Sequence, residues 1–144
     1  MKLKINLERL ESSSWKAAKA LWNSVPLILG TILLVSLLKA SIPISFYTKL
    51  FSGNAFLDSL KGAAIGSISA GNPITSYIIS GELLKEGISL FAVTAFIVAW
   101  VTVGLIQLPA ESAILGRKFA TLRNLLSFVI AILVSIITVL LLEI

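Results

Sequence analysis

Four long stretches without a charged residue divide this chain. Nineteen uncharged residues separate Lys19 from Lys39, twenty separate Lys61 from Glu82, twenty-four separate Glu86 from Glu111, and nineteen separate Arg123 from Glu143. A hydrocarbon core of about 30 Å takes roughly 20 helical residues to cross, so each stretch is long enough to enter or span a bilayer. Ahead of the first, residues 1–14 place Leu3, Leu7 and Leu10 on one helical face, with Lys2, Lys4, Glu8, Arg9 and Glu11 around the rest. That is the pattern of an amphipathic helix lying on the membrane surface.

The elements follow from these stretches. Ser14 is the expected N-cap of a first span over 15–39, in which Trp15 and Trp22 suit the headgroup level. The positively charged region before this span, about twenty residues long, exceeds that of a cleaved signal peptide, so the span is expected to be retained. Residues 41–54 (SIPISFYTKLFSGN) read as an interfacial loop. Further spans are expected over 88–108 and 122–142. The connector 110–123, with Glu111, Arg117, Lys118 and Arg123, marks a water boundary.

The window between Lys61 and Glu82, GAAIGSISAGNPITSYIISG, differs from the others, because eleven of its twenty residues are Gly, Ser, Thr, Asn or Pro. Near its middle Pro73 lacks an N–H and biases Asn72 away from helical backbone, while Gly71 accepts turn conformations. A helix is expected to break there, giving half-helices over Leu57–Gly71 and Pro73–Lys85. Broken backbone is tolerated at membrane depth only inside protein or along a watery cavity, and transporters bind substrate at such discontinuities. The expected substrate pathway is Ser67, Ser69, Gly71, Asn72, Pro73, Thr75, Ser76 and Tyr77. The backbone N–H groups of Thr75, Ser76 and Tyr77 offer an anion site, and the carbonyls near Ser69 and Ala70 a cation site; the sequence leaves both open. Gly62 and Gly66 form a small-xxx-small pair suited to close helix packing, which explains the glycines but not the break. Gln107 and Glu111, flanking Pro109, are expected at an interface, with a sharper alternative in which this corner folds toward the cavity and adds an intramembrane carboxylate.

Composition narrows the chemistry. The chain has 144 residues, 57% of them hydrophobic and 13% charged, against the quarter or so charged in a soluble domain. It has no cysteine and no histidine, which removes disulfides, thiol nucleophiles, histidine acid–base pairs and Cys/His metal sites. No acidic residue lies inside an uncharged window to activate a serine, so no enzyme activity, catalytic residue, metal or cofactor is expected. The net charge of +5 comes from basic residues scattered over segment ends, a membrane topology signal and not a nucleic-acid surface. If the polar window re-enters, Lys2, Lys4, Arg9, Lys16, Lys19, Arg117, Lys118 and Arg123 share one side against Lys39, Lys49, Lys61 and Lys85, 8 against 4, with the N-terminus cytoplasmic. If the window crosses fully, the split is 6 against 6. The re-entrant arrangement is the expectation.

The run Gly62 to Gly81, the connector Glu82 to Gly87, an apolar span, Pro109 and then Leu115-Gly116-Arg117 resemble one repeat of the YraQ-like and ArsP-like permeases, over about Leu57 to Leu142. The resemblance implies a permease whose full-length relatives carry two such repeats, some linked to organoarsenical efflux. Where family repeats carry a Pro-x-Cys-Ser-Cys-Gly element, this chain has Ser67-Ile68-Ser69-Ala70-Gly71-Asn72-Pro73, without the cysteines of thiol-dependent binding. The expectation is a single-domain, all-α integral membrane protein of the cell membrane: three full transmembrane helices plus a broken helix or re-entrant helical hairpin (57–85), preceded by the interfacial helix. Its expected role is that of a half-size transporter subunit pairing with a second copy of itself for a small molecule or ion, with no nucleic acid. The alternative is a non-transporting accessory subunit packed on a larger partner.

Overall fold

Polar caps and prolines set where the helices begin. The computed structural model describes residues 7–41, 49–69 and 71–142, and the regular structure of these residues is helical: α1 (Leu7–Ser41), α2 (Ala55–Ile68), α3 (Pro73–Lys85), α4 (Leu90–Thr102), α5 (Leu108–Leu115) and α6 (Arg117–Leu142). Asn54 starts α2, its side-chain oxygen accepting from the N–H groups of Phe56 and Leu57 at 3.1 and 3.0 Å. Asn72 and Pro73 start α3, Ser89 starts α4, and Pro109 lies in the first turn of α5.

The organising pair is α2 and α4, which run side by side in the same direction and make the most extensive contact between elements. Their approach depends on Gly62 and Gly66. A Cβ on Gly62 would overlap the carbonyl oxygen of Ala92, and one on Gly66 that of Phe96, so only glycine permits this spacing. The expected small-residue face is therefore buried within the chain. Helix α6 runs antiparallel to both: Asn124 lies beside Gly104 and Ser135 beside Ser59 and Phe91. Ser135 donates to the Phe91 carbonyl, so its own oxygen accepts from the Ser59 hydroxyl at 3.2 Å, tying three helices at one buried point. Around it Ala63, Ala95, Ala99, Val103, Ala131 and Ile132 form the core.

Helices α2 and α3 run in opposite directions and both pack on α4. After the break, α3 leads back to Ser89, whose hydroxyl donates to Asp58 in the first turn of α2 at 2.6 Å. Asp58 is fully buried and also accepts from the Ser52 and Gly53 N–H groups at 3.0 and 2.9 Å. The start of α2 and the start of α4 are thereby pinned together. At 14 and 13 residues, α2 and α3 are each about 20 Å long, short of the ~30 Å hydrocarbon thickness.

Three expected boundaries change. Helix α1 is continuous for 35 residues through Ser14, with no start there, so the amphipathic segment and the first expected span (15–39) are one element. The expected 88–108 span is a 13-residue helix ending at Thr102, because the chain breaks a second time over Val103–Gln107. The last expected span starts five residues early, at Arg117, directly after Gly116, whose φ of +87° turns the chain out of α5. Residues 1–6, with Leu3 of the expected interfacial helix, and 42–48 of the expected loop lie outside the described residues. Among the described residues one helix, Arg117–Leu142, is long and apolar enough to cross a membrane, and 22% of its most apolar window is buried.

Candidate functional site

The break between α2 and α3 is closed by its own residues. Ser69 leaves the helix for extended backbone, its N–H donating to Gly66 O at 3.1 Å and its hydroxyl to Ile65 O at 2.8 Å. Across the gap the Asn72 side chain accepts from the Ile74 N–H at 2.9 Å, and the Asn72 carbonyl from the Thr75 N–H at 2.9 Å. Of the N–H groups expected to offer an anion site, that of Thr75 is taken by the Asn72 carbonyl. At the other end, the Gly66 and Ile65 carbonyls accept from Ser69 and the Ala64 carbonyl from the Ser67 hydroxyl. Ala70 lies outside the described residues.

A cavity of about 220 Å³ opens beside this turn, and the second break forms its other wall. Ser69, Gly71 and Pro73 line it from the first interruption, Gly104 and Gln107 from the second. Trp100 bridges the two: its indole N–H donates to the Gly71 carbonyl at 3.3 Å, and its ring lies where a Cβ on Gly71 would come within 3.2 Å. Phe96 holds the ring edge to face at 5.3 Å.

Arg123 of α6 supplies the one charge among the residues lining the cavity. Its Nη2 pairs with Glu111 Oε1 at 2.9 Å, with side chains 39% and 16% exposed, and reaches the Thr102 carbonyl at 3.4 Å. Asn124 completes the network, donating to Glu111 Oε2 at 3.1 Å and to Ala120 O at 3.0 Å while accepting from the Gly104 N–H at 2.8 Å. The interruption after α4 is held open by this one asparagine, which gives the freed Gly104 N–H a partner.

Of the expected pathway residues, Ser69, Gly71 and Pro73 line the cavity. Asn72 acts as the cap. Ser67 and Ser76 are buried with hydroxyls turned back onto Ala64 O and Pro73 O; Thr75 meets Thr31 of α1 at 3.5 Å; Tyr77 is 62% exposed. Gln107 reaches the cavity, and Glu111 meets it indirectly through Arg123. Trp100, Gly104, Arg123 and Asn124 were not expected at the site. The signal available for Gly104 was Pro109, whose ring cannot sit in a helix that includes Leu105. Among the described residues no group of three or more acidic side chains could hold a metal ion. No family model matches this chain, and neither a curated protein nor a solved structure matches it.

Proposed function

We propose that this chain is a multi-pass permease subunit of the cell membrane, with its substrate path at the cavity where the two helix breaks meet. One observation carries this reading: two separate interruptions, Ser69–Asn72 and Val103–Gln107, converge on a single polar cavity beside Arg123. Interrupted backbone at membrane depth is tolerated inside protein or along a watery cavity, and transporters bind substrate at such discontinuities. The α2–α3 hairpin enters from the side that holds Asp58 and Ser89 and turns back about 20 Å in, while α1, α4 with its continuation, and α6 connect the two faces. This arrangement keeps the 8 against 4 distribution of basic residues and puts the N-terminus and Arg123 on the cytoplasmic side.

The working unit is a homodimer. Val101 and Ile106 line the cavity yet are 58% and 62% exposed, a missing wall that a second copy supplies. Transport proceeds by alternating exposure or gating, without covalent catalysis. The accessory-subunit reading loses its main support, because Gly62 and Gly66 are spent on the chain's own α4.

Purified protein reconstituted in vesicles, with entrapped carboxylates, amines and sugars as probes, tests this. Release of at least one probe class above empty vesicles is expected, and Gly104→Leu and Asn72→Leu should reduce it while the protein remains inserted. No release of any class, or release unchanged in both variants, overturns the assignment.

A further inference from the structure

The polar cavity has an apolar neighbour. Among α2, α3 and α4 lies a second cavity of about 390 Å³, walled by Phe51, Ile65, Leu83, Val93 and Phe96. Ser69 and Trp100 belong to the walls of both. The two volumes together fall within the roughly 300–1,000 Å³ usual for small-molecule sites, with the usual division into an apolar body and a few convergent polar groups.

The charge at the polar end is of one sign. Arg123 lines that cavity, whereas its partner Glu111 is not among the lining residues. Only Nη2 of the guanidinium is committed to Glu111, and Nε is buried without a partner among the described residues. A guanidinium fork carries five N–H groups, so donors remain for a second carboxylate. Gln107 adds amide donors beside it.

We infer that the two adjoining cavities bind an amphiphilic organic anion, whose carboxylate or phosphate head meets Arg123 and Gln107 and whose apolar body passes Trp100 into the space between α2, α3 and α4. Trp100 is then a contact residue for the ligand, its indole forming the neck between head and body. This deepens the transport reading and rests on the same cavity. The ligand's source is either a soluble hydrophobic carboxylate or an anionic membrane lipid, which share this chemistry.

The test reads Trp100 fluorescence in phosphatidylcholine nanodiscs, with Trp15→Phe and Trp22→Phe leaving Trp100 as the reporter. Mid-chain brominated decanoate should quench it saturably, and a brominated quaternary ammonium of equal chain length should not, although both partition into lipid. Bromoacetate, the head alone, should bind at least about tenfold more weakly, and Arg123→Gln should weaken decanoate by about tenfold or more, with Arg123→Lys intermediate. Equal saturable quenching by the ammonium, or affinity unchanged in Arg123→Gln, overturns the inference. The wild-type comparison of head charges stands even if the Arg123 variants fold poorly. Replacing phosphatidylcholine by phosphatidylglycerol assigns the source: competition with decanoate identifies the bilayer lipid, and no competition the soluble carboxylate. Saturable binding without flux would remove the transport reading and keep this site, while flux of hydrophilic probes with no decanoate binding would do the reverse.

Discussion

Ser89 donates a hydrogen bond to Asp58 at 2.6 Å across 31 residues of chain, joining the two ends of a helix–break–helix excursion. The carboxylate also accepts the Ser52 and Gly53 N–H groups, so one buried side chain fixes where the hairpin begins and where it returns. The direction of α3, and with it the position of the break against α4, follows from that closure.

Asp58→Ala should therefore be among the most damaging single changes. It removes a fully buried acceptor from three donors, each lost bond to a charged group being worth about 1.5–3 kcal/mol. A loss of about 3 kcal/mol or more is expected by denaturant unfolding in detergent. Asp58→Asn should be intermediate, since it keeps one acceptor oxygen.

Glycines in α2 and α3 should respond oppositely to alanine. Gly62→Ala and Gly66→Ala force backbones apart and should cost about 1–3 kcal/mol or more. Gly81→Ala meets nothing within 4 Å inside a helix and should stabilise by about 0.5–1 kcal/mol. Thermal melting of the three variants side by side checks the contrast.

The first break was legible in the sequence because its signal is local: Gly71-Asn72-Pro73 predicts an interruption and a helix start at Pro73, where α3 begins. The second break was hidden, because Val103, Leu105 and Ile106 are as apolar as the span around them and hydropathy does not register a change of backbone path. The Asp58 anchor was hidden for another reason, since its partner lies on a different helix. Arg123 was read as a boundary charge, the usual meaning of an arginine beside an apolar run; only the antiparallel register of α6 against α4 brings it to Thr102 and the cavity. Most hydrogen bonds of the polar residues around the first break close the turn itself.

Asn72 should act as a cap and not as a ligand. Asn72→Asp and Asn72→Ser, which keep an acceptor for the Ile74 N–H, should leave stability within about 0.5 kcal/mol, whereas Asn72→Leu should lose about 1 kcal/mol. Flux in reconstituted vesicles should follow the same order, because the cap sets the turn that shapes the cavity wall.

The Glu111–Arg123 pair is half open to solvent on the arginine side, so its contribution to stability should be modest. A double-mutant cycle of Glu111→Gln and Arg123→Gln should give a coupling of about 1 kcal/mol or less by unfolding in detergent. A coupling several times larger would mean that the pair is sealed in the assembled protein.

The most direct measurement of the proposed hairpin and its watery tip uses the absence of native cysteine. Single substitutions Gly53→Cys, Ser69→Cys and Lys85→Cys would be probed with a membrane-impermeant thiol reagent applied to intact cells and then to opened ones. A re-entrant hairpin whose tip lines a cytoplasmic cavity predicts that positions 53 and 85 react from outside, and that position 69 reacts only after opening. Reaction of positions 53 and 85 from opposite sides, or a position 69 that reacts under neither condition, would contradict it.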